Sequence, residues 1–410
     1  MSKKNDKRSP SIVGTLLGAL LLVGAVLLTQ YTGIDFVSIL NEATGGETTT
    51  TTDGETTEGG VSAPPAAAPG SATALTVGQG RGAQKGFWTV YFNEPTGESD
   101  ASFYVDGIDA PLAQAIDGVQ ATLDIAAFEF NNEVMTQAVL NAHERGVRIR
   151  IVTDDEHGLE DEDESIPVFI EAGIPVVDDD RSGLMHNKFM IMDNTVVWTG
   201  SMNYTRNGVY RNNNHLVALR SQRAVRAYQE EFNEMFERGE FGITSTTGSA
   251  AYNQDGTPVQ IYFASEDNVV GAINAELAAA KNTIRFLAFS FTQDDIGQAM
   301  FDADARGVEV TGVFELRGSE TRFSEMGRMF CSGWDVRQDG NPYVLHHKVI
   351  IVDDDTVLTG SFNFSANATE SNDENLLVIR DPDFAALFIQ EFEQLFDEAA
   401  PPPAEDIDCE

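Results

Sequence analysis

His186-Asn-Lys188-Phe-Met-Ile-Met-Asp193 and His346-His-Lys348-Val-Ile-Ile-Val-Asp353 are two copies of one pattern: His-x-Lys, four apolar residues, then Asp, set 160 positions apart. Each is followed by a second short match, Thr199-Gly200-Ser201-Met-Asn203 and Thr359-Gly360-Ser361-Phe-Asn363. Further upstream, Leu123-Asp-Ile-Ala-Ala-Phe-Glu-Phe130 answers to Ile284-Arg-Phe-Leu-Ala-Phe-Ser-Phe291, and Arg145-Gly146-Val147 to Arg306-Gly307-Val308, at an offset of 161. A pattern held over that length with a one-residue change of spacing marks a duplicated unit. Within each copy, segments of helical period (110–120 and 133–145; 270–281 and 294–306) alternate with apolar strand runs (123–130 and 147–153; 283–291 and 308–314). Such alternation predicts an α/β protein whose mixed, largely parallel sheets are flanked by helices. The His-x-Lys runs then read as strands entering tight hairpins, and a last helix (224–236; 384–396) closes each copy.

The composition limits what such a chain can do. Its 410 residues allow two core-forming units plus extra segments, and 42% hydrophobic against 22% charged residues excludes a wholly disordered protein. A formal net charge of −39 argues against non-specific coating of nucleic acid, which needs a cationic surface, but leaves room for a cationic pocket in an anionic body. Two cysteines exclude a disulfide-rich scaffold and a thiolate-only zinc site, and Cys331, among Met329, Phe330 and Trp334, is expected as a buried apolar residue. Only seven lysines occur; three lie within the first ten residues, leaving Lys85, Lys188, Lys281 and Lys348 for the rest.

The N-terminus carries Lys3, Lys4, Lys7 and Arg8 before an uncharged, largely apolar run. It predicts a cytoplasmic tail (1–10) and a transmembrane signal anchor (11–31), with a cleaved signal peptide as the alternative and the catalytic region extracytoplasmic either way. A Thr/Gly/Pro-rich linker (32–85) is expected to be disordered, followed by the two repeat halves (86–245 and 256–398) and a disordered acidic tail (399–410).

On a strand, residues i and i+2 share a face, so the His and Lys of each motif project together. An ammonium group would repel a metal at the same pocket. Two His and two Lys, with Ser201, Asn203, Ser361 and Asn363 as neutral partners, instead form an anion site of the kind a phosphodiester needs. Histidine can attack phosphorus or protonate a leaving oxygen near its ordinary pKa of about 6.5, which predicts a bell-shaped pH profile.

The duplicated motifs resemble the phospholipase D superfamily over most of 87–396, and the second half also resembles its small bacterial endonuclease branch. The resemblance implies two similar sandwich halves packed around a pseudo-twofold, shared active site, with no cofactor and no metal. It also implies a two-step reaction through a covalent phosphohistidine. His186 would then be the nucleophile and His346 the general acid. Lys188 and Lys348 would bind phosphate with Asn203 and Asn363, supported by Ser201 and Ser361. Asp193 and Asp353 complete the catalytic motifs, although at hairpin turns they could equally hold the turn. Glu374 matches a carboxylate expected to orient the histidine of its own motif, and the equivalent position in the first half is Asn214.

The expected function is hydrolysis of phospholipids at a membrane by a chain that works as a monomer, since both motifs lie in it. A metal-independent endonuclease acting on nucleic acid is the alternative, and an inactive phosphate-binding module the rival from another class. The connector 151–180 carries twelve acidic residues and no Lys or Arg. It is read as a solvated face that, if it rims the site, would disfavour long polyanions. Its counterpart, 311–340, carries Arg317, Arg322, Arg328 and Arg337.

Overall fold

The computed structural model describes residues 71–161, 163–403, 407 and 409. Its nineteen strands are β1 (Thr73–Val77), β2 (Gly80–Lys85), β3 (Trp88–Asn93), β4 (Thr122–Ala127), β5 (Arg148–Thr153), β6 (Val176–Asp178), β7 (Lys188–Met192), β8 (Val196–Gly200), β9 (Asn212–Asn213), β10 (His215–Leu219), β11 (Ala250–Gln254), β12 (Thr257–Ala264), β13 (Thr283–Ala288), β14 (Glu309–Phe314), β15 (Val336–Gln338), β16 (Val344–Leu345), β17 (Lys348–Val352), β18 (Thr356–Gly360) and β19 (Glu374–Arg380). The α-helices are α1 (Asp109–Asp117), α2 (Glu133–Glu144), α3 (Ile166–Glu171), α4 (Arg206–Tyr210), α5 (Gln222–Asn233), α6 (Val269–Ala279), α7 (Asp294–Asp304), α8 (Glu325–Cys331), α9 (Ala366–Glu370) and α10 (Pro382–Glu398).

Two mixed sheets carry the fold, one ordered β1-β2-β3-β10-β8-β7-β4-β5-β6 and the other β11-β12-β19-β18-β17-β13-β14-β15. Within these two sheets parallel pairing is confined to β4-β5-β6 and β13-β14-β15, where a helix bridges successive strands. The parallel share is therefore smaller than the alternation suggested, because each motif strand returns through a hairpin and hairpins impose antiparallel pairing. The motif strands β7 and β17 are central and buried along their whole length. One core cluster draws on both sheets together with α5 and α10, while separate clusters fill the far side of each sheet. A short parallel ladder, β16 with β9, ties the second half directly to the first.

Four expectations are corrected. The linker does not extend to residue 85: β1 and β2 form a hairpin on β3, held by the backbone ladder and by ion pairs from Arg81 to Glu391 and Lys85 to Asp381. Its small and polar residues suit an edge hairpin that buries little apolar area, so composition alone read it as loose. The acidic tail is tied down in part, since Ala400 exchanges backbone hydrogen bonds with Gln338 and Cys409 is disulfide-bonded to Cys331. Cys331 is thus exposed and cross-linked instead of packed in the core. The membrane-anchored localisation is also corrected: among the described residues no helix is long and apolar enough to cross a membrane, and the span expected at 11–31 lies outside them.

The motif aspartates are turn residues. Asp193 and Asn194 both have positive φ (50° and 52°), a conformation that short polar side chains tolerate, in a turn closed by the Thr195 N–H on the Met192 carbonyl at 2.9 Å. The Asp193 carboxylate accepts the backbone N–H groups of Gln120, Ala121 and Thr122 at 2.7–2.9 Å. Asp353 repeats this with Lys281, Asn282 and Thr283. Both lie at the opposite end of their strand from the His-Lys pair, roughly 17 Å away at about 3.3 Å per residue. Of the two roles expected for Asp193 and Asp353, the catalytic one is therefore corrected and the turn-holding one kept. Asp193→Ala should lower unfolding stability by about 1–3 kcal/mol through three orphaned donors and a strained turn, while turnover per folded molecule stays within about twofold. Denaturant melts paired with kinetics check both halves of that statement.

Candidate active site

The sequence brings the two motifs to one place because each starts its strand by pairing across the interface. The His186 N–H donates to the Asp373 carbonyl at 3.0 Å, and the His346 N–H to the Asn213 carbonyl at 3.0 Å. His186, Lys188, His346 and Lys348 are all buried, and their charges act on one another across the two halves.

The orienting groups are exchanged between the halves. His186 Nδ1 lies 2.8 Å from Glu374 Oε2, and His346 Nδ1 lies 3.0 Å from Asn214 Oδ1. This corrects the expectation that Glu374 serves its own motif: its partner is the histidine of the other half. Spacing along the chain could not reveal this, because repeat symmetry relates the pairs without saying which copy each side chain faces. Asn214 donates through Nδ2 to the Gly208 carbonyl, so its Oδ1 is left to accept from His346. The Ser201 hydroxyl donates to that same Oδ1 at 2.8 Å, while the Ser361 hydroxyl and Asn372 amide hold Glu374. Both serines therefore set the orienting residues. The Nδ2 of Asn203 donates to Glu129 at 2.7 Å, and the buried Oδ1 atoms of Asn203 and Asn363 have no hydrogen-bond partner.

Each lysine is seated the same way. Lys188 Nζ donates to the His186 carbonyl at 2.6 Å and sits 4.7 Å from the Phe128 ring centre; Lys348 Nζ donates to the His346 carbonyl at 2.8 Å and sits 4.6 Å from Phe289. The same two rings meet His186 and His346 edge-on. Phe128 and Phe289 were missed as site residues, although their recurrence at the 161-residue offset was a usable signal. Also unforeseen was His215, buried against His347 Nδ1 at 2.9 Å and bonded to Thr359. His347 faces away from the site and meets Glu391 at 2.9 Å.

Electrostatics follow from burial. Desolvation, then the charges of Lys188 and Lys348, hold His186 well below its ordinary pKa, so its ring is neutral. His346 is lowered by the same causes, burial first. Burial brings Lys188 down to about 8, and burial followed by repulsion from Lys188 pulls Lys348 well down. Glu374 is raised to about 7 by burial against the opposing pull of Lys188. An anion placed among these cations would relieve the repulsion, so the arrangement selects for negative charge.

The acidic connector is only partly a solvated face. Asp154, Glu164 and Asp179 are buried; Asp154 accepts the Met185 N–H one residue before His186 and also bonds His157, whose charge reaches His186. Among the described residues two carboxylate groups are close enough to hold a cation, Asp154/Asp155/Asp179 and Glu231/Glu234/Glu266. The first already has a cation, with Arg181 Nε 3.3 Å from Asp179. Neither includes a motif histidine or lysine.

The family profile described as cardiolipin synthase, PLD-like domain matches residues 112–236 and 273–396. A mitochondrial cardiolipin hydrolase from Xenopus tropicalis is 36% identical over 118 residues, 29% of this chain and 56% of that protein. A phospholipase D from Rickettsia bellii is 35% identical over 115 residues, 28% of this chain and 57% of that one. The chain thus spans a little over half the length of these curated relatives. Among solved structures, the phosphatidylserine synthase of Haemophilus influenzae Rd KW20 has a TM-score of 0.58 at 13% identity, covering 73% of this chain and 85% of its own, which establishes a shared fold. Nuc, a phospholipase D family member from Salmonella typhimurium, is 36% identical and covers 36% of this chain and 99% of its own, with a TM-score of 0.35.

Replacing Glu374 with Gln keeps the hydrogen bond but removes an anion from His186. The His186 pKa should fall further while that of His346 changes little, which side-chain NMR titration of the two rings would resolve. The reverse pattern would restore the own-motif pairing.

Proposed function

The chain belongs to the phospholipase D-like family, and from that membership we propose that it is a phosphoric diester hydrolase acting on phospholipids through a covalent phosphohistidine. The observation that carries the reading is the crossed pair of hydrogen bonds, His186 to Glu374 and His346 to Asn214, which gives two chemically similar histidines unequal partners.

His186 donates its Nδ1–H to Glu374, leaving the Nε2 lone pair for attack. The carboxylate favours the positive charge that develops on the ring. Nε2 bonds to phosphorus as the ester P–O bond breaks, and the leaving oxygen takes the proton from Nε2 of His346. His346 is then neutral and accepts a proton from water, whose oxygen bonds to phosphorus as the N–P bond breaks. That returns both rings to their starting forms. Asn214 fixes the His346 tautomer without adding negative charge, which suits a group that must release its proton. Lys188 and Lys348 hold the non-bridging oxygens, where they oppose charge built up in each transition state.

Three features favour a lipid headgroup over a nucleic acid. The curated relatives carry names of lipid-cleaving enzymes. The acidic connector packs beside His186 through Asp154 and His157. On the other side, the loop after β14, which leaves the sheet at the strand end that holds Lys348, exposes the apolar side chains of Leu316 and Phe323.

The full chain, offered cardiolipin or phosphatidylcholine vesicles and single- or double-stranded DNA, should release headgroup products. That release should fall about 10³-fold or more in His186→Ala. Cleavage of DNA alone would replace the lipid reading with the nuclease one. In the free enzyme, burial lowers His346, so its proton is lost as pH rises through a value under the ordinary 6.5. The alkaline limb of kcat/KM should accordingly have its midpoint below 6.5, with a second loss near 8 as Lys188 discharges.

A further inference from the structure

The repeat makes a prediction about charge that one half breaks. Glu391 on α10 and Glu231 on α5 are equivalent, 160 residues apart, and each supports the residue between the His and Lys of its motif. Glu391 Oε1 meets His347 Nε2 at 2.9 Å, and Glu231 Oε1 accepts from Asn187 Nδ2 at 3.1 Å. Both carboxylates are buried. The other oxygen of Glu391 is neutralised from the opposite sheet by Arg81, which faces Phe92 in the β2–β3 register. Phe92 pairs with His215, and the equivalent pair in the second half is Phe263 with Asn375. Carrying the β11–β12 register back two residues from Ala250–Ile261 puts Gly248 opposite Phe263. Where the first half sends a guanidinium, the second half has no side chain.

Glu231 Oε2, in a fully buried residue, correspondingly has no donor from a neighbouring group, and neither do the two buried carboxylate oxygens of Glu266; these oxygens of Glu231 and Glu266 face each other. Oxygens from Glu231, Glu234 and Glu266 lie within 4.8 Å of one another. That is the span of two oxygens on opposite sides of a calcium ion at about 2.4 Å each. Glu234 already has Arg238 at 3.0 Å, which leaves two carboxylates uncompensated, the charge of one divalent cation. Burial and mutual repulsion raise Glu231 well above its ordinary range and Glu266 to about 8, so a shared proton is the competing solution. The carboxylate oxygens of the cluster are themselves buried, but Thr247, which bonds Glu234, lines with Gly248 a surface cavity of about 510 Å³ next to them.

We propose that Glu231, Glu234 and Glu266 bind a calcium ion that stands where Arg81 stands in the other half. It is a structural site, coupled through Asn187 to the strand that bears His186 and Lys188, and it takes no part in the proposed phosphoryl chemistry.

The test is thermal unfolding of the full chain at pH 8 after chelator treatment and dialysis, with calcium, magnesium or sodium chloride at matched ionic strength. Calcium should raise the Tm saturably, by about 3 °C or more at a large excess over Kd, with magnesium doing less. Glu266→Gln should abolish the response. Gly248→Arg, built at a position with open space around a Cβ, should raise the metal-free Tm and abolish the response too. No rise with calcium, a rise no larger than that from magnesium, or one that survives Glu266→Gln overturns the proposal.

Discussion

Two buried hydrogen bonds cross between the halves, from His186 to Glu374 and from His346 to Asn214, and the polar groups around them depend on that crossing. Each joins a ring just before one motif strand to a side chain of the other half, Glu374 at the start of β19 or Asn214 just before β10. The crossing demands a rigid interface, and the surrounding bonds supply it. Asp373, beside Glu374, accepts the His186 N–H and an ion pair from Arg181, while the Asn375 amide bonds Asn187 and its carbonyl oxygen accepts from Thr199 and Tyr228. These polar groups are deep and nearly all paired, and in a low-dielectric interior such networks fix one geometry because any displacement strands a donor or acceptor.

The same burial bears on how so acidic a chain could hold the proposed anion site. A net charge of −39 would repel phosphate if the field were uniform. Lys188 and Lys348, each about 1% exposed, are instead screened from the surface by protein, and each is oriented by its own motif carbonyl and a phenylalanine ring. Close interactions at low dielectric outweigh distant, solvent-screened ones. The bulk acidity thus bears on which substrates can approach, and the local cations on what is held after arrival.

The repeat and the His-Lys spacing made the fold legible, because strand and helix periods are local properties of sequence. They also located the groups that converge. What they could not give was the pairing across the interface: Glu374 and Asn214 were found, but assigned to the wrong rings, since an offset between copies carries no information on which copy faces which. Asp193 and Asp353 misled for a related reason. Their recurrence reflects a turn that must accept three N–H groups, a structural need repeated as faithfully as a chemical one. The β1–β2 hairpin and Cys409 escaped because their order comes from long-range ladders, ion pairs and a cross-link, none of which composition reports.

Where the copies have diverged, the differences fall in the buried polar layer beneath the motifs. Glu374 answers to Asn214, Asn375 to His215, and His347 to Asn187. Two identical halves would give both histidines the same partner and therefore the same basicity, so that in the proposed reaction only the seating of the substrate would distinguish attacker from acid. A carboxylate on one ring and an amide on the other breaks that tie at almost no cost in shape, because Glu and Asn here accept the same Nδ1–H at similar distance. Each exchange also moves charge within the core, so compensating groups must differ as well. Arg81 sits on Glu391, whereas Glu231 faces two other glutamates. Unequal partners at the two histidines and unequal charge below them are then one consequence of divergence within a duplicated fold.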